Sequence, residues 1–316
     1  MRFTRRTLTA ALALASVAGF TNPAAAADKP KVALVMKSLA NEFFRTMEDG
    51  AKAHQKAHAS QYTLVTNGIK DETDTAAQIK MVEQMVAQRV NAIVIAPADS
   101  KALVPVLKAA ADKGVLVINI DNKLDVDALK SKDLMVPFVG PDNRAGAKLG
   151  GDVLAKNLAA GDKVGIVEGV STTFNAQQRT LGFQDAMKAA GITVAGVQSG
   201  QWEIDKGNTV AAGMLRENPD LKAILAGNDS MALGVVAAVK ASGRTGKVQV
   251  VGYDNIAAIK PMLKDGRVGA NADQNAPKQT VFGIEIALKA LAEKKKQNDM
   301  PAEVKTDVAL VTKDSK

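Results

Sequence analysis

The sequence contains no cysteine, two histidines and a single tryptophan. Without cysteine there is no disulfide, no thiol nucleophile and no cysteine-ligated zinc or iron–sulfur centre. Two imidazoles are too few for a multi-histidine metal centre. His54 and His58 do sit four apart, a spacing that binds metals on a helix. No H-E-x-x-H pattern surrounds them, and Lys52 and Lys56 flank them, so they read as an exposed helix face. G-x-S-x-G, G-x-x-x-x-G-K-[ST] and G-x-G-x-x-G are all missing. Gly243 to Lys247 resembles a phosphate loop only faintly and reads as a turn between helix and strand. Carboxylates are plentiful, but sequence alone does not set two of them at a glycosidase separation. No cofactor is expected.

Long apolar runs are also scarce. The longest, Leu8 to Phe20, is too short to span a ~30 Å hydrocarbon core. It follows Arg2, Arg5 and Arg6 and precedes the small residues Ala24 to Ala27, so Met1 to Ala26 reads as an export signal cleaved near Ala26. Arg5-Arg6 leaves general secretory and twin-arginine export both open. No cysteine follows the cleavage region to carry a lipid anchor. The expected location is the periplasm. The formal charge of +8 includes the three signal arginines. The rest is dispersed, and the densest run, Lys294 to Lys296, reads as a solvated helix end. No nucleic-acid partner is expected.

At 316 residues and 47% hydrophobic, the chain has material for two cores. Short apolar runs alternate with helical stretches. Strands are expected at Lys31 to Met36, Tyr62 to Thr66, Ala92 to Ala96, Leu116 to Ile120 and Met135 to Val139. The pattern restarts with Val164 to Val167, Val194 to Gln198, Ala223 to Ala226, Val248 to Gly252, Val268 to Ala272 and Val308 to Val311. Helices are expected between them, with Ser100 capping one that Gly114 stops. This is an α/β chain with parallel sheets, read as two Rossmann-like lobes, with a single (β/α)8 barrel as the competing topology.

In open parallel sheets, ligands bind beyond the carboxyl ends of the strands. The residues there are Lys37, Asn41-Glu42-Phe43-Phe44, Asp121-Asn122-Lys123, Glu168, Asn175, Arg179, Gln201-Trp202, Asn228-Asp229, Asp254-Asn255 and Asp273-Gln274-Asn275. A family resemblance carried by these segments narrows the candidates to Lys37, Asn41, Phe43, Phe44, Asp121, Asn122, Asn175, Arg179, Trp202, Asn228, Asp254 and Gln274. Amides, carboxylates and arginine suit hydroxyls that both donate and accept, and aromatic rings suit sugar C–H faces. With eleven aromatic residues in all, Phe43, Phe44 and Trp202 at strand ends form a concentration. Each residue also has a structural reading. Asn41, Asp229 and Asp254 sit where helix N-caps sit. One phenylalanine of an adjacent pair commonly packs into a core. Lys37 and Arg179 suit exposed positions. The functional case rests on their convergence.

These segments resemble the ribose/allose-type periplasmic sugar-binding proteins that serve ABC importers. The resemblance runs from Lys31 to Lys313. It is carried by the segment around Asn41-Glu-Phe43-Phe44, Ile-Asp121-Asn-Lys, Arg179-Thr-Leu-Gly-Phe183, Gly-Asn228-Asp-Ser-Met-Ala-Leu-Gly234, Val-Val-Gly-Tyr-Asp254 and Asp-Gln274-Asn. It implies a type I periplasmic binding protein fold with a three-crossing hinge. The N-terminal lobe would hold 27–141 plus 275–306, and the C-terminal lobe 142–274 plus 307–316. It further implies hydrogen bonds to sugar from Asn41, Asp121, Arg179, Asn228, Asp254 and Gln274, and stacking by Phe43, Phe44 and Trp202. Lys37 matches the allose-type branch. Asn122 departs from the family, where the ribose type has Arg and the allose type an acid, and is expected to alter one edge of the ligand. Asn175 matches a position that varies. The implied ligand is a neutral monosaccharide or polyol, and the implied partner is a membrane permease, with a chemoreceptor as the alternative. The export signal and the lack of a helix-turn-helix before Lys31 speak against a repressor. A monomer is expected.

Overall fold

Alternating apolar runs and amphipathic stretches resolve into two six-stranded sheets. The structure, a computed structural model, describes residues 29–315. The export signal expected at Met1 to Ala26 lies outside the described residues.

The chain begins β1 (Lys31–Met36), α1 (Glu42–Ala57), β2 (Thr63–Gly68), α2 (Thr75–Ala87), β3 (Ala92–Ile95), α3 (Val104–Asp112), β4 (Leu116–Ile120), α4 (Val126–Ser131) and β5 (Phe138–Pro141). It continues α5 (Asn143–Ala155), β6 (Lys163–Glu168), α6 (Phe174–Ala189), β7 (Thr193–Ser199), α7 (Ile204–Glu217), β8 (Ala223–Ala226), α8 (Asp229–Ala241), β9 (Gln249–Tyr253), α9 (Lys260–Lys264) and β10 (Ala270–Asp273). Last come α10 (Ala276–Ala292), β11 (Glu303–Thr306) and β12 (Ala309–Val311).

The first sheet has the order β11-β5-β4-β3-β1-β2 and the second β12-β10-β9-β8-β6-β7. The two are the same doubly wound pattern, each with one strand added late in the chain. Two separate sheets exclude the single barrel. Strands β1, β3 and β4 are buried on both faces, as their unbroken apolar runs require. Helices α1 and α10 pack together on one side of the first sheet, and α2 with α3 on the other; α5 with α6 and α7 with α8 flank the second. Each sheet with its helices forms one lobe.

The chain passes between sheets after β5, after β10 and between β11 and β12. Strand β11 runs parallel to β5, whereas β12 runs antiparallel to β10. The difference follows from direction. The chain climbs β11 toward the junction of the lobes and crosses with only Asp307 and Val308 between. It must then descend the second lobe against strands that climb toward the same junction.

Three local expectations are corrected. Strand β5 starts at Phe138 rather than Met135. The Met135 amide and carbonyl bond to the side chains of Asn298 and Gln297, at 3.0 and 2.8 Å, instead of a strand. Ser100 is not the cap of α3, which begins at Val104; Asp99 closes the preceding turn by accepting from the amides of Lys101 and Ala102. Strand β11 had not been anticipated. It is a half-exposed edge of sequence EVKT with no apolar run to announce it. Among the described residues, no helix is long and apolar enough to cross a membrane.

Candidate functional site

The carboxyl ends of the strands in both lobes face one another across a small cavity. Its lining is Lys37, Asn41, Phe43, Phe44 and Asp121 from the first lobe, Asn175, Arg179, Trp202, Asn228 and Asp254 from the second, and Gln274 at a crossing. Eleven of the twelve residues selected from the sequence therefore meet in one place. The side chains close tightly around it and leave little free space. The larger surface clefts lie elsewhere, for example between α2 and α3, and lack this convergence of buried polar groups.

The twelfth residue, Asn122, does not line the cavity. It is fully buried, and its amide is committed to protein. Its Nδ2 donates to the Pro97 carbonyl at 3.0 Å; its Oδ1 lies 3.3 Å from Ser100 Oγ and accepts from the Asn175 amide at 3.3 Å. The expectation that Asn122 shapes one edge of a ligand is corrected accordingly.

Several residues do double work. Asn41 caps α1, its Oδ1 accepting from the Phe43 amide, and also lines the cavity. Asn228, rather than Asp229, caps α8 by accepting from the Met231 amide. Asp229 sits one residue on, buried, accepting from the amides of Tyr253 and Ile256 at 3.0 Å and from the Asn271 amide group. It props the loop that carries Asp254. Asp254 is no cap. Its φ of 119° is a strained value, and Asp121 at 61° and Trp202 at 69° are left-handed too. Non-glycine residues held this way cost about 1–3 kcal/mol each and persist where the surroundings over-determine them.

Arg179 is held from all sides. Its guanidinium carbon lies 3.7 Å from the Tyr253 ring centroid and 5.6 Å from that of Trp202. Nε donates to Asn143 Oδ1 at 2.8 Å, and Nη1 donates to the Gly227 carbonyl at 2.9 Å with Asp254 Oδ1 at 3.5 Å. Gln274 Nε2 donates to the same Asp254 oxygen at 2.6 Å. Trp202 has room because residue 169 is glycine; a side-chain carbon there would overlap the indole.

The sequence reading missed Glu72, which is buried under the cavity floor and pairs with Lys37 at 3.3 Å. Glu72 also accepts from Asn41 Nδ2 at 3.3 Å. It lies in a polar loop after β2, with no local signal to single it out. Asn143 and Tyr253 were missed for the same reason, although Tyr253 adjoins Asp254.

Burial dominates the electrostatics. It pushes Glu72 up from 4.5 to about 7, against the opposing pull of Lys37. It raises Asp121 despite Lys37 and Arg179. Burial likewise raises Asp254, with Arg179 opposing, and raises Asp229, whose shift the Asp254 charge increases. Three buried polar atoms on the lining have no hydrogen-bond partner among the described residues: Asp121 Oδ2, Arg179 Nη2 and Trp202 Nε1. Native interiors pair nearly all such atoms, so one acceptor and two donors converging on a cavity mark a place for a ligand rich in hydroxyls. Among the described residues, no group of three or more His, Asp or Glu side chains is placed to hold a metal ion.

The family described as periplasmic binding protein domain matches residues 32–296. A D-ribose/D-allose-binding protein of Pseudomonas aeruginosa is 62% identical, over 98% of this chain and 99% of its own. The crystal structure of an ABC transporter solute-binding protein from Burkholderia multivorans is 71% identical, with a TM-score of 0.89. It covers 90% of this chain and all of its own, and its unknown ligand is described as alpha-D-erythrofuranose. A periplasmic solute-binding protein from Actinobacillus succinogenes with bound D-allose is 34% identical, with a TM-score of 0.83, over 90% and 98% of the two chains. With two thirds or more of each relative covered, the chain belongs to the periplasmic binding protein family, among the sugar-binding members that serve ABC transporters.

Proposed function

We propose that this protein captures a neutral monosaccharide of ribose or allose type, or a related polyol, between its lobes in the periplasm and delivers it to the permease of an ABC importer. The observation that supports this most directly is the set of unpartnered buried atoms on Asp121, Arg179 and Trp202 around one cavity between the lobes. Asn41, Asn228, Asp254 and Gln274 supply further donors and acceptors. Phe43, Phe44 and Trp202 offer faces for sugar C–H groups. The function is binding and release, without chemistry on the ligand.

The lobe assignment is part of the proposal: 27–141 plus 275–306 as one body, and 142–274 plus 307–316 as the other, hinged at the three crossings. A ligand touching both lobes binds the closed form better than the open one, and that difference drives closure. Cleavage of the export signal near Ala26 completes the reading.

The test is a thermal-shift panel on the mature protein with aldotetroses, aldopentoses, aldohexoses, their 6-deoxy forms and pentitols, followed by calorimetric titration of each hit. A ligand at 100 times its dissociation constant stabilises by about 2.7 kcal/mol, which moves a melt visibly. One or two sharp hits, with the sugar recovered unchanged, support the reading. A flat response across the panel overturns it.

A further inference from the structure

Helix α6 carries the cavity residues Asn175 and Arg179. Its N-cap residue, Thr173, makes no side-chain cap bond, and its hydroxyl donates to the Val170 carbonyl at 2.6 Å instead. Asn175 Oδ1 accepts from the Ala176 amide at 2.9 Å, and the two amides before it find their acceptors in the other lobe. The Phe174 amide donates to Ser100 Oγ at 2.9 Å, and the Asn175 amide donates to Asn122 Oδ1 at 3.3 Å. Ser100 and Asn122 also lie within hydrogen-bond distance of each other, at 3.3 Å. Both are buried, and neither lines the cavity.

We propose that Ser100 and Asn122 of the first lobe form a latch that caps α6 of the second lobe in the closed form and sets how long a ligand is held, without touching the ligand. The proposal rests on the capture function above.

Three features carry the inference. The two acceptors belong to the loops that follow β3 and β4, and the two donors open the helix that follows β6, so the bonds exist only while the lobes meet. The first amides of any helix lack intrahelical partners, and a side-chain oxygen is their usual complement. The Asn122 oxygen is aimed by its own Nδ2, which is anchored on the Pro97 carbonyl at 3.0 Å, so little side-chain freedom is lost on closing. Apparent affinity scales with the closed population, so loss of the latch weakens every ligand by the same factor.

The experiment compares wild type with Ser100→Ala, Asn122→Ala and the double variant. D-ribose and D-allose are titrated with Trp202 fluorescence as readout, and dissociation is followed by stopped flow. In parallel, the absence of native cysteine allows dyes on cysteines introduced at Lys113 and Lys188, exposed positions of the two lobes, to report the closed fraction directly. The expected result is affinity about five- to tenfold weaker for each single variant, by an equal factor for both sugars and mainly through faster dissociation. The closed fraction should fall in all three variants. The melting midpoint of ligand-free Ser100→Ala should stay unchanged, whereas Asn122→Ala also strips the Pro97 carbonyl of its partner and melts lower. An unchanged closed fraction overturns the latch. So does a loss that differs between the two sugars, which would mean direct ligand contact, or a fall in the ligand-free melt of Ser100→Ala that matches its loss of affinity, which would mean a purely structural role. If wild type binds neither sugar, the capture of ribose or allose fails, and the dye-reported closed fraction of wild type and variants still decides the latch.

Discussion

Lys37 and Glu72 form an ion pair at 3.3 Å with both side chains almost wholly out of water. The lysine follows β1, the glutamate follows β2, and only the lysine reaches the cavity lining. Breaking such a pair from one side leaves a buried charge uncompensated. Lys37→Met should therefore destabilise the protein by about 3–5 kcal/mol above pH 7, where Glu72 is ionised, and weaken sugar binding because Lys37 lines the cavity. The double variant Lys37→Met/Glu72→Gln should recover much of the melting midpoint but not the affinity. Melts and titrations of wild type and the two variants at pH 8 test this; a Lys37→Met melt equal to wild type would show that the pair contributes nothing.

Asp121 presents the opposite balance. Its Oδ2 has no partner among the described residues, and burial raises its pKa. Asp121→Asn should cost about 2–5 kcal/mol of binding, at least ~30-fold in affinity, while the ligand-free melting midpoint does not fall. A variant that melts early yet binds normally would refute a ligand-facing role.

Trp202 and Phe138 separate stacking from core packing. Phe138 is buried in β5 and does not line the cavity. Phe138→Ala should cost about 3–5 kcal/mol of stability with the affinity of the folded protein little changed. Trp202→Ala should weaken binding at least ~10-fold, because an aromatic contact contributes beyond its buried area. Equal effects of the two substitutions on affinity would remove the stacking role.

Glu72 also sets a pH dependence. Its carboxyl keeps its proton to about pH 7 in the folded protein but has an ordinary value of 4.5. Between those values the folded state binds more protons than the unfolded state, so stability falls as pH rises. The contribution is complete below pH 4.5 and lost above about 7. Thermal melts of the ligand-free protein should decline from pH 5 to pH 8, and Glu72→Gln should flatten the slope. A wild-type melt that rises over this range contradicts the assignment.

Much of this protein is legible from local pattern. The apolar runs that became β1, β3 and β4 could only be strands buried on both faces, and their alternation with helices set the α/β class. Eleven cavity residues were legible because parallel sheets present their ligands at strand ends, and because the family resemblance narrowed the polar and aromatic residues found there to a few. The sequence by itself thus determined the class of fold and the loops that carry the site. Tertiary structure decided the rest. Polar side chains carry no periodicity, so nothing local distinguishes Asn122, which accepts from the Asn175 amide of the other lobe, from Asp121 beside it, which lines the cavity. Glu72 acquires its role from Lys37, thirty-five positions away in the chain, and Ser100 from the amide of Phe174 in the other lobe. A hydrogen bond or ion pair of this kind is defined by two partners, and only folding brings both to one place.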